Sequence, residues 1–269
     1  MLADAGAHEG LVLAGGQSLL PAMALRLARP AHLIDINDIA ELSRLRCENN
    51  ELVIGACVRH AAFERGVDDG PLGRLLARVV RHIAHYPIRT RGTFCGSLAQ
   101  ADPAAEWCLV AATLSARMVI ASAGGRRTVA ADAFFEGPMM TALRAGELLL
   151  EARLPLLAPG TRSGFCELSR RAGDFAIAMA LVTYAERDGV ISEPRVGLGG
   201  VEDCPRRIAE AEAAMRGKPA RQDVFEAVAD AAAQAIAPSS DVRYSAQYRR
   251  EVARAMVINA LEQSTAEGS

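Results

Sequence analysis

A pair of glycines between a short strand and a helical segment places the first limit on how this chain can fold. Residues 11–13 (LVL) read as an apolar strand, Ala14-Gly15-Gly16-Gln17-Ser18 as a tight turn, and the following LLPAMALRLA carries helix-like apolar spacing in spite of Pro21. Such a turn gathers backbone N–H groups and the positive end of a helix at one point, and glycine keeps that point open to close approach. With the side chains of Gln17 and Ser18 as further donors, the arrangement suits a diphosphate. Taken alone, a glycine pair at a strand end is more simply a plain turn. Neither GxGxxG nor GxxxxGK[ST] occurs there, which argues against a doubly wound dinucleotide fold and against a P-loop ATPase.

A second turn of similar character, Arg91-Gly92-Thr93-Phe94-Cys95-Gly96-Ser97, lies further on and is followed by Asp102-Pro103-Ala104-Ala105-Glu106, whose Asp-Pro opening suits a helix start. Gly96-Ser97 can complete an anion cradle from the side opposite Gly15-Gly16. Between the turns, residues 32–37 alternate like a strand, 42–58 read as a hairpin folded at Glu48-Asn49-Asn50, and 72–85 show the apolar spacing of an amphipathic helix opened by Pro71. This part reads as α+β and not as a βαβ repeat. Residues 116–120 and 126–130 form an expected hairpin around Gly124-Gly125, and 147–154 a further strand. PLLAPG at 155–160 marks a domain boundary. Beyond it, 165–168, 177–186 and 190–198 read as antiparallel strands, the last two joined at Asp188-Gly189, before three helices at about 206–216, 221–236 and 244–262.

Composition narrows the function classes. The net charge of −2 gives no broad reason to expect a nucleic-acid or anionic-membrane partner, and Lys218 as the sole lysine among 30 basic residues reads as compositional bias. Apolar runs such as 109–114 fall far short of the roughly 20 residues that cross a bilayer. The first ten residues lack the basic flank and apolar stretch of a signal peptide, so a cytoplasmic location is expected. The six cysteines show no CxxC and no grouping with histidine, and the five histidines, His82 and His85 among them, read as a solvated helix face; no metal or iron-sulfur site is expected in this chain.

Four segments in order, LAGGQSLLPAMALRLARPAHLIDIN (13–37), RTRGTFCGSLAQADPAAEW (89–107), SRRAGDFAIAMA (169–180) and VGLGGVEDCPRRIAEAE (196–212), resemble the medium, FAD-binding subunit of the carbon monoxide dehydrogenase and xanthine dehydrogenase family of molybdenum hydroxylases. The resemblance spans nearly the whole chain. It implies an α+β fold: a two-subdomain FAD-binding domain of the vanillyl-alcohol-oxidase type at 1–157, with subdomains at about 1–47 and 48–157, then a smaller α+β domain with a three-stranded antiparallel sheet at 161–264. FAD would lie between the subdomains. Leu13, Ala14, Gly15, Gly16, Gln17, Ser18 and Leu19 would wrap its diphosphate from one side, and Thr93, Cys95, Gly96 and Ser97 from the other. Glu106 would contact the ribose region, Leu148 and Leu149 the flavin part, and Phe175 would lie near the isoalloxazine ring. Core packing explains the two leucines equally well, and Arg170-Arg171 could serve as a domain-interface pair or a flavin contact.

The resemblance further implies that the chain carries electrons from two [2Fe-2S] clusters on a small partner subunit, fed by a molybdenum-cofactor large subunit, to an external acceptor, in a dimer of heterotrimers. No catalytic side chain is then needed in this chain. Cys95 departs from the family, which has glycine there, so either the turn does not need positive φ at that point or the diphosphate packs differently. Cys166 and Glu167 stand where some relatives have a lysine, and the chain begins inside the first helix of its relatives. Two other readings stand beside this one: a self-contained FAD-dependent oxidoreductase, which would need a proton donor in its pocket, and a flavin-free structural module of the same fold.

Overall fold

Strand β1 (Gly10–Leu13) runs through the first glycine turn into helix α1 (Leu19–Ala24) and the chain returns as β2 (His32–Asp35) in a computed structural model that describes residues 10–266. The expectation about a leader in the first ten residues thus falls, Gly10 apart, outside the described residues. β1 and β2 are parallel neighbours, Gly10 opposite His32 and Leu13 opposite Asp35. The segment thus contains a single βαβ unit, since parallel neighbours need a crossover connection and α1 lies within it, while the strands that follow pair antiparallel.

Asn49 and Asn50, at φ of 51° and 61°, turn β3 (Leu45–Glu48) into β4 (Glu51–Gly55), a conformation that asparagine tolerates in a two-residue hairpin. These strands open a five-stranded antiparallel sheet of order β3-β4-β9-β5-β6, with β5 (Arg117–Ser122), β6 (Gly125–Ala130) and β9 (Leu148–Pro155). β3, which spans the expected subdomain break at about 47, is hydrogen-bonded to β4 in this second sheet. Helices α2 (Pro71–Val79), α3 (Tyr86–Arg89), α4 (Phe94–Gln100) and α5 (Glu106–Thr113) lie between β4 and β5, and a small hairpin, β7 (Phe135–Gly137) with β8 (Met140–Thr141), precedes β9. α2 ends six residues before the end of the segment expected to be helical, and the chain then turns through Ala84 at φ 43°. Leu75, Leu76, Phe94, Trp107 and Leu109 from the helices join Ile54, Ile120 and Leu154 from the sheet in one core.

The last third of the chain forms β10 (Arg162–Ser169), β11 (Ala176–Arg187) and β12 (Val190–Gly199), antiparallel in that order. Asp188 and Gly189, at φ of 52° and 75°, make the tight turn between the last two. A two-residue strand, β13 (Arg206–Arg207), pairs with β12, so the sheet expected to have three strands gains a short fourth. Helices α6 (Ala209–Met215), α7 (Gln222–Ala235) and α8 (Ala246–Ala266) pack on this sheet through Met215, Val228, Val257 and Leu261. Other contacts of β12 are with α5, where a Cβ at Gly199 would come 2.5 Å from the Met179 methyl and 3.5 Å from the Leu109 Cβ.

Gly164 of β10 sits directly beneath the Ala260 carbonyl of α8, with no room for a Cβ. Both neighbours are backbone, so relief requires the helix to move. Gly164→Val is expected to destabilise the chain by about 1–3 kcal/mol or more, read as a lowered urea midpoint at unchanged slope; an unchanged midpoint would show that α8 is not seated this closely.

Candidate functional site

Gly15 and the second turn touch. A Cβ at Gly15 would overlap the Arg91 carbonyl oxygen and lie 2.7 Å from Gly92 Cα, so the two glycine turns meet backbone to backbone. Gly16 sits at φ 73°, a left-handed conformation that favours glycine, with Leu13 and Leu20 around it. Polar ties hold the meeting in register. Asn37 donates to the Ala14 carbonyl (2.9 Å), Arg59 donates to Asn37 Oδ1 (2.6 Å) and to the Arg91 carbonyl (2.6 Å), and Asp35 accepts from the Asn37 backbone (2.9 Å). Those hydrogen bonds from Asn37 hold the exposed Asp35 carboxyl below its ordinary value. Neither Asn37 nor Arg59 stood out in the sequence, although HLIDIN places Asn37 just beyond a strand end.

On the other side, Thr93 caps α4: its hydroxyl oxygen accepts from the Gly96 N–H at 2.9 Å, which satisfies one of the free donors of the helix start. A Cβ at Gly96 would lie 2.6 Å from that oxygen, so glycine belongs to the cap itself. Cys95 lies inside α4, outside the positive-φ residues, and is buried; its thiol is 3.4 Å from the Ile54 carbonyl, and burial raises it well above its ordinary pKa. The turn therefore needs no left-handed backbone at 95, which is why a cysteine is accommodated. Ser18 makes no capping bond to α1, and Gln17 folds back to donate to the Gly15 carbonyl at 3.3 Å.

The two turns border a cavity of about 310 Å³, at the low end of the roughly 300–1,000 Å³ that ligand pockets occupy. Its lining includes Leu13, Ala14, Gly15, Gly16, Gln17, Ser18 and Leu19 from the first turn, Thr93, Cys95, Gly96 and Ser97 from the second, and Leu148 and Leu149 from β9. His60, Gly92, Gln100, Leu143 and Glu147 also line it and were not singled out from the sequence. Arg127 grips Glu147 through two hydrogen bonds of 2.8 and 2.6 Å and holds its carboxyl down at about 2, so this anion at the rim is already paired. The residues fit a dinucleotide diphosphate: close-approach glycines, a capped helix start and few competing charges stand at one cavity.

Glu106 and Phe175 do not line this cavity. Phe175 is 69% exposed, in the loop before β11. Glu106, at the start of α5, is 7% exposed, and burial together with the nearby carboxylate of Glu167 pushes its pKa up to about 8. Glu167 is itself buried, with His82 Nδ1 3.5 Å from one oxygen and no partner for the other. His82 is thus half engaged with a buried carboxylate and not simply on a solvated face. Arg170 and Arg171 are exposed. A second cavity, about 480 Å³, is bordered by Phe135, Cys204, Arg206 and Arg207; its arginines are paired with Glu202 and Glu212. No group of His, Cys, Asp and Glu that could hold a metal ion occurs among the described residues.

Comparison with known proteins agrees with this geometry. Residues 2–157 match the FAD binding domain in molybdopterin dehydrogenase, and residues 163–264 the CO dehydrogenase flavoprotein C-terminal domain. The chain is similar to the nicotine 6-hydroxylase medium subunit of Paenarthrobacter nicotinovorans, at 36% identity over 93% of this chain and 88% of that protein. It is 36% identical to the carbon monoxide dehydrogenase medium chain of Hydrogenophaga pseudoflava, over 94% of this chain and 88% of that one. A solved structure of carbon monoxide dehydrogenase from H. pseudoflava superposes with a TM-score of 0.92 at 37% identity, covering 98% of this chain and 93% of that chain.

The position of Glu106 has a measurable consequence. Its folded-state pKa, about 8 against an ordinary 4.5, means the folded chain holds a proton that the unfolded chain releases. The stability this supplies is fully present below the ordinary value and is lost as pH rises through the folded one. Glu106→Gln, which stays neutral, is expected to match the parent near pH 5 in urea unfolding of the flavin-stripped chain and to exceed it near pH 9 by on the order of 2–4 kcal/mol. Parallel pH curves for the two proteins would show that Glu106 is not held protonated.

Proposed function

The chain belongs to the FAD-binding medium-subunit family of molybdopterin dehydrogenases, and from that premise we propose that it is the electron-transfer flavoprotein component of a molybdenum hydroxylase. It is an oxidoreductase subunit, and FAD is its cofactor. The observation that carries the proposal is the convergence of two glycine turns, far apart in sequence, on one cavity. The backbone at Ala14 to Leu19 and at Thr93 to Ser97 holds the diphosphate, while Leu148 and Leu149 present apolar surface to the rest of the cofactor. Glu106 and Phe175 lie outside the lining of this cavity, and contacts of Glu106 with the ribose region and of Phe175 near the isoalloxazine ring rest on the family resemblance alone.

FAD held by Ala14 to Leu19 and Thr93 to Ser97 would supply the redox chemistry that links [2Fe-2S] clusters on a small partner subunit to an external acceptor. The chain's own part is to bind, orient and shield; it brings no catalytic acid or base. Substrate hydroxylation belongs to a large subunit that carries the molybdenum cofactor, in a dimer of heterotrimers. Relatives named as medium subunits or chains support a multi-subunit assembly. No helix among the described residues is long and apolar enough to cross a membrane, and a cytoplasmic location fits the cofactor set. The domain division follows at 1–157 and 161–264. A flavin-free module would have no use for a cavity kept open by glycines that meet backbone to backbone.

Two outcomes test this. Gly15→Ala, whose methyl would force the turns apart, and Gly16→Val, strained at positive φ, are each expected to leave the chain folded but without flavin after desalting, where the parent retains about one equivalent. One equivalent retained by both variants would overturn the assignment of the cradle. The parent chain alone is expected to bind FAD yet oxidise no carbon monoxide, purine, N-heterocycle or aldehyde, with activity restored only on assembly; substrate-dependent flavin reduction by the isolated chain would make it a self-contained enzyme.

A further inference from the structure

His60 is the buried group of this cavity that the functional reading leaves unused. Its backbone N–H donates to the Gly92 carbonyl at 2.9 Å, which sets the residue beside the second glycine turn. The side chain is 5% exposed and lines the cavity. Trp107 Nε1 lies 2.9 Å from its Nδ1. An indole nitrogen can only donate, so Nδ1 must be the acceptor and the ring hydrogen must be on Nε2. Among the described residues nothing accepts a hydrogen bond from that Nε2–H. The imidazole is packed so closely against Gly92 that a Cβ there would lie 2.5 Å from Nε2.

Several features show that this tautomer is enforced. Trp107 is fully buried and wedged among Phe63 and Phe94, with ring centroids 5.0 and 4.9 Å away, so its N–H has a fixed direction. Protonating Nδ1 would set two N–H groups against each other. Burial, with the Arg89 and Arg59 guanidiniums nearby, keeps the imidazole neutral down to about pH 4. His60 Nε2 has no protein partner yet is not among the fully enclosed unpartnered atoms of the described residues, so its hydrogen keeps an opening, and the cavity that His60 lines supplies one to a ligand. Nearby stand the close-approach glycines Gly15 and Gly92 and the first turn from Gly16 to Leu19, whose backbone N–H groups favour a ligand rich in acceptor oxygens.

We propose that His60, locked as the Nε2–H tautomer by Trp107, donates a hydrogen bond to a phosphate oxygen of the FAD diphosphate. Trp107 is the positioning residue and His60 the contact. This assignment rests on the FAD reading above and adds to it a side-chain donor from a third segment, between the two turns in sequence. It also gives Gly92 its reason: any larger residue would push the imidazole off the position from which it reaches the cofactor.

Two substitutions separate the ring nitrogens. Asparagine at 60 keeps an acceptor near the Nδ1 position for Trp107 but carries nothing to the Nε2 position; glutamine reaches the Nε2 position with an N–H but leaves Trp107 unserved. In FAD titrations of the flavin-stripped full chain, followed by flavin fluorescence, His60→Asn is expected to bind roughly ten- to a hundredfold more weakly than the parent. His60→Gln should remain within a few-fold in affinity while losing more in urea midpoint than His60→Asn. Parent-like affinity in His60→Asn, or affinity losses that merely follow the losses in stability, would overturn the proposal. ¹⁵N spectra of the histidine-labelled parent need no variant: the hydrogen should be on Nε2, and its signal should move on adding FAD. A hydrogen on Nδ1, or an Nε2–H signal that FAD leaves in place, also overturns it. Failure of the parent itself to bind FAD would instead remove the cofactor reading on which this one stands.

Discussion

The closeness of two backbones governs the site. Gly15 meets Arg91 and Gly92 with no space for a side chain, and Gly92 in turn meets the His60 ring. These contacts bring together segments about 75 residues apart, and the polar ties through Asn37 and Arg59 prevent them from sliding. Because glycine gives up more conformational freedom than any other residue when ordered, such contacts survive only where the approach itself serves a purpose. Here the approach shapes the wall of a cavity and keeps that wall free of side chains at Gly15 and Gly92.

The C-terminal domain supports that wall from behind. The Gly200 N–H donates to the Pro103 carbonyl at 2.8 Å, ahead of α5, and Arg249 from α8 donates to the Gly200 carbonyl at 2.9 Å. Gly197 of β12 leaves room for Thr113 at the end of the same helix. Helix α5 carries Trp107, and Trp107 orients His60. A continuous series of packed groups thus runs from the C-terminal sheet through α5 to the cavity.

Cys95 and Glu167 have different physical weights. Cys95 costs little, since it occupies a helical position with its thiol against the Ile54 carbonyl. The Glu167 side chain lies buried near Glu106, and burial together with that neighbouring carboxylate raises the Glu106 pKa. The buried site thereby becomes a place that holds a proton, with His82 at its edge.

Local chemistry made much of this fold legible. Asn49-Asn50 and Asp188-Gly189 adopt the positive φ that a tight hairpin demands, Pro71 opens its helix, and PLLAPG separates β9 from β10. The two glycine turns were legible as points of close approach because freedom from a side chain is written into residue type. The parallel pairing of β1 with β2, the early end of α2 and the small fourth strand β13 were not, since each depends on which partner a segment finds. For the same reason sequence order could align Glu106 and Phe175 with a cofactor but could not say that neither would border the cavity. His60, Asn37 and Arg59 lack any motif. Their roles come from distance, burial and a tautomer fixed by an indole 47 positions away, and such quantities exist only once the chain has folded. The sequence by itself determined the turn chemistry, the α+β class and the family; tertiary structure decided which polar groups face the cavity, because burial and hydrogen-bond partners depend on three-dimensional neighbours and not on order along the chain.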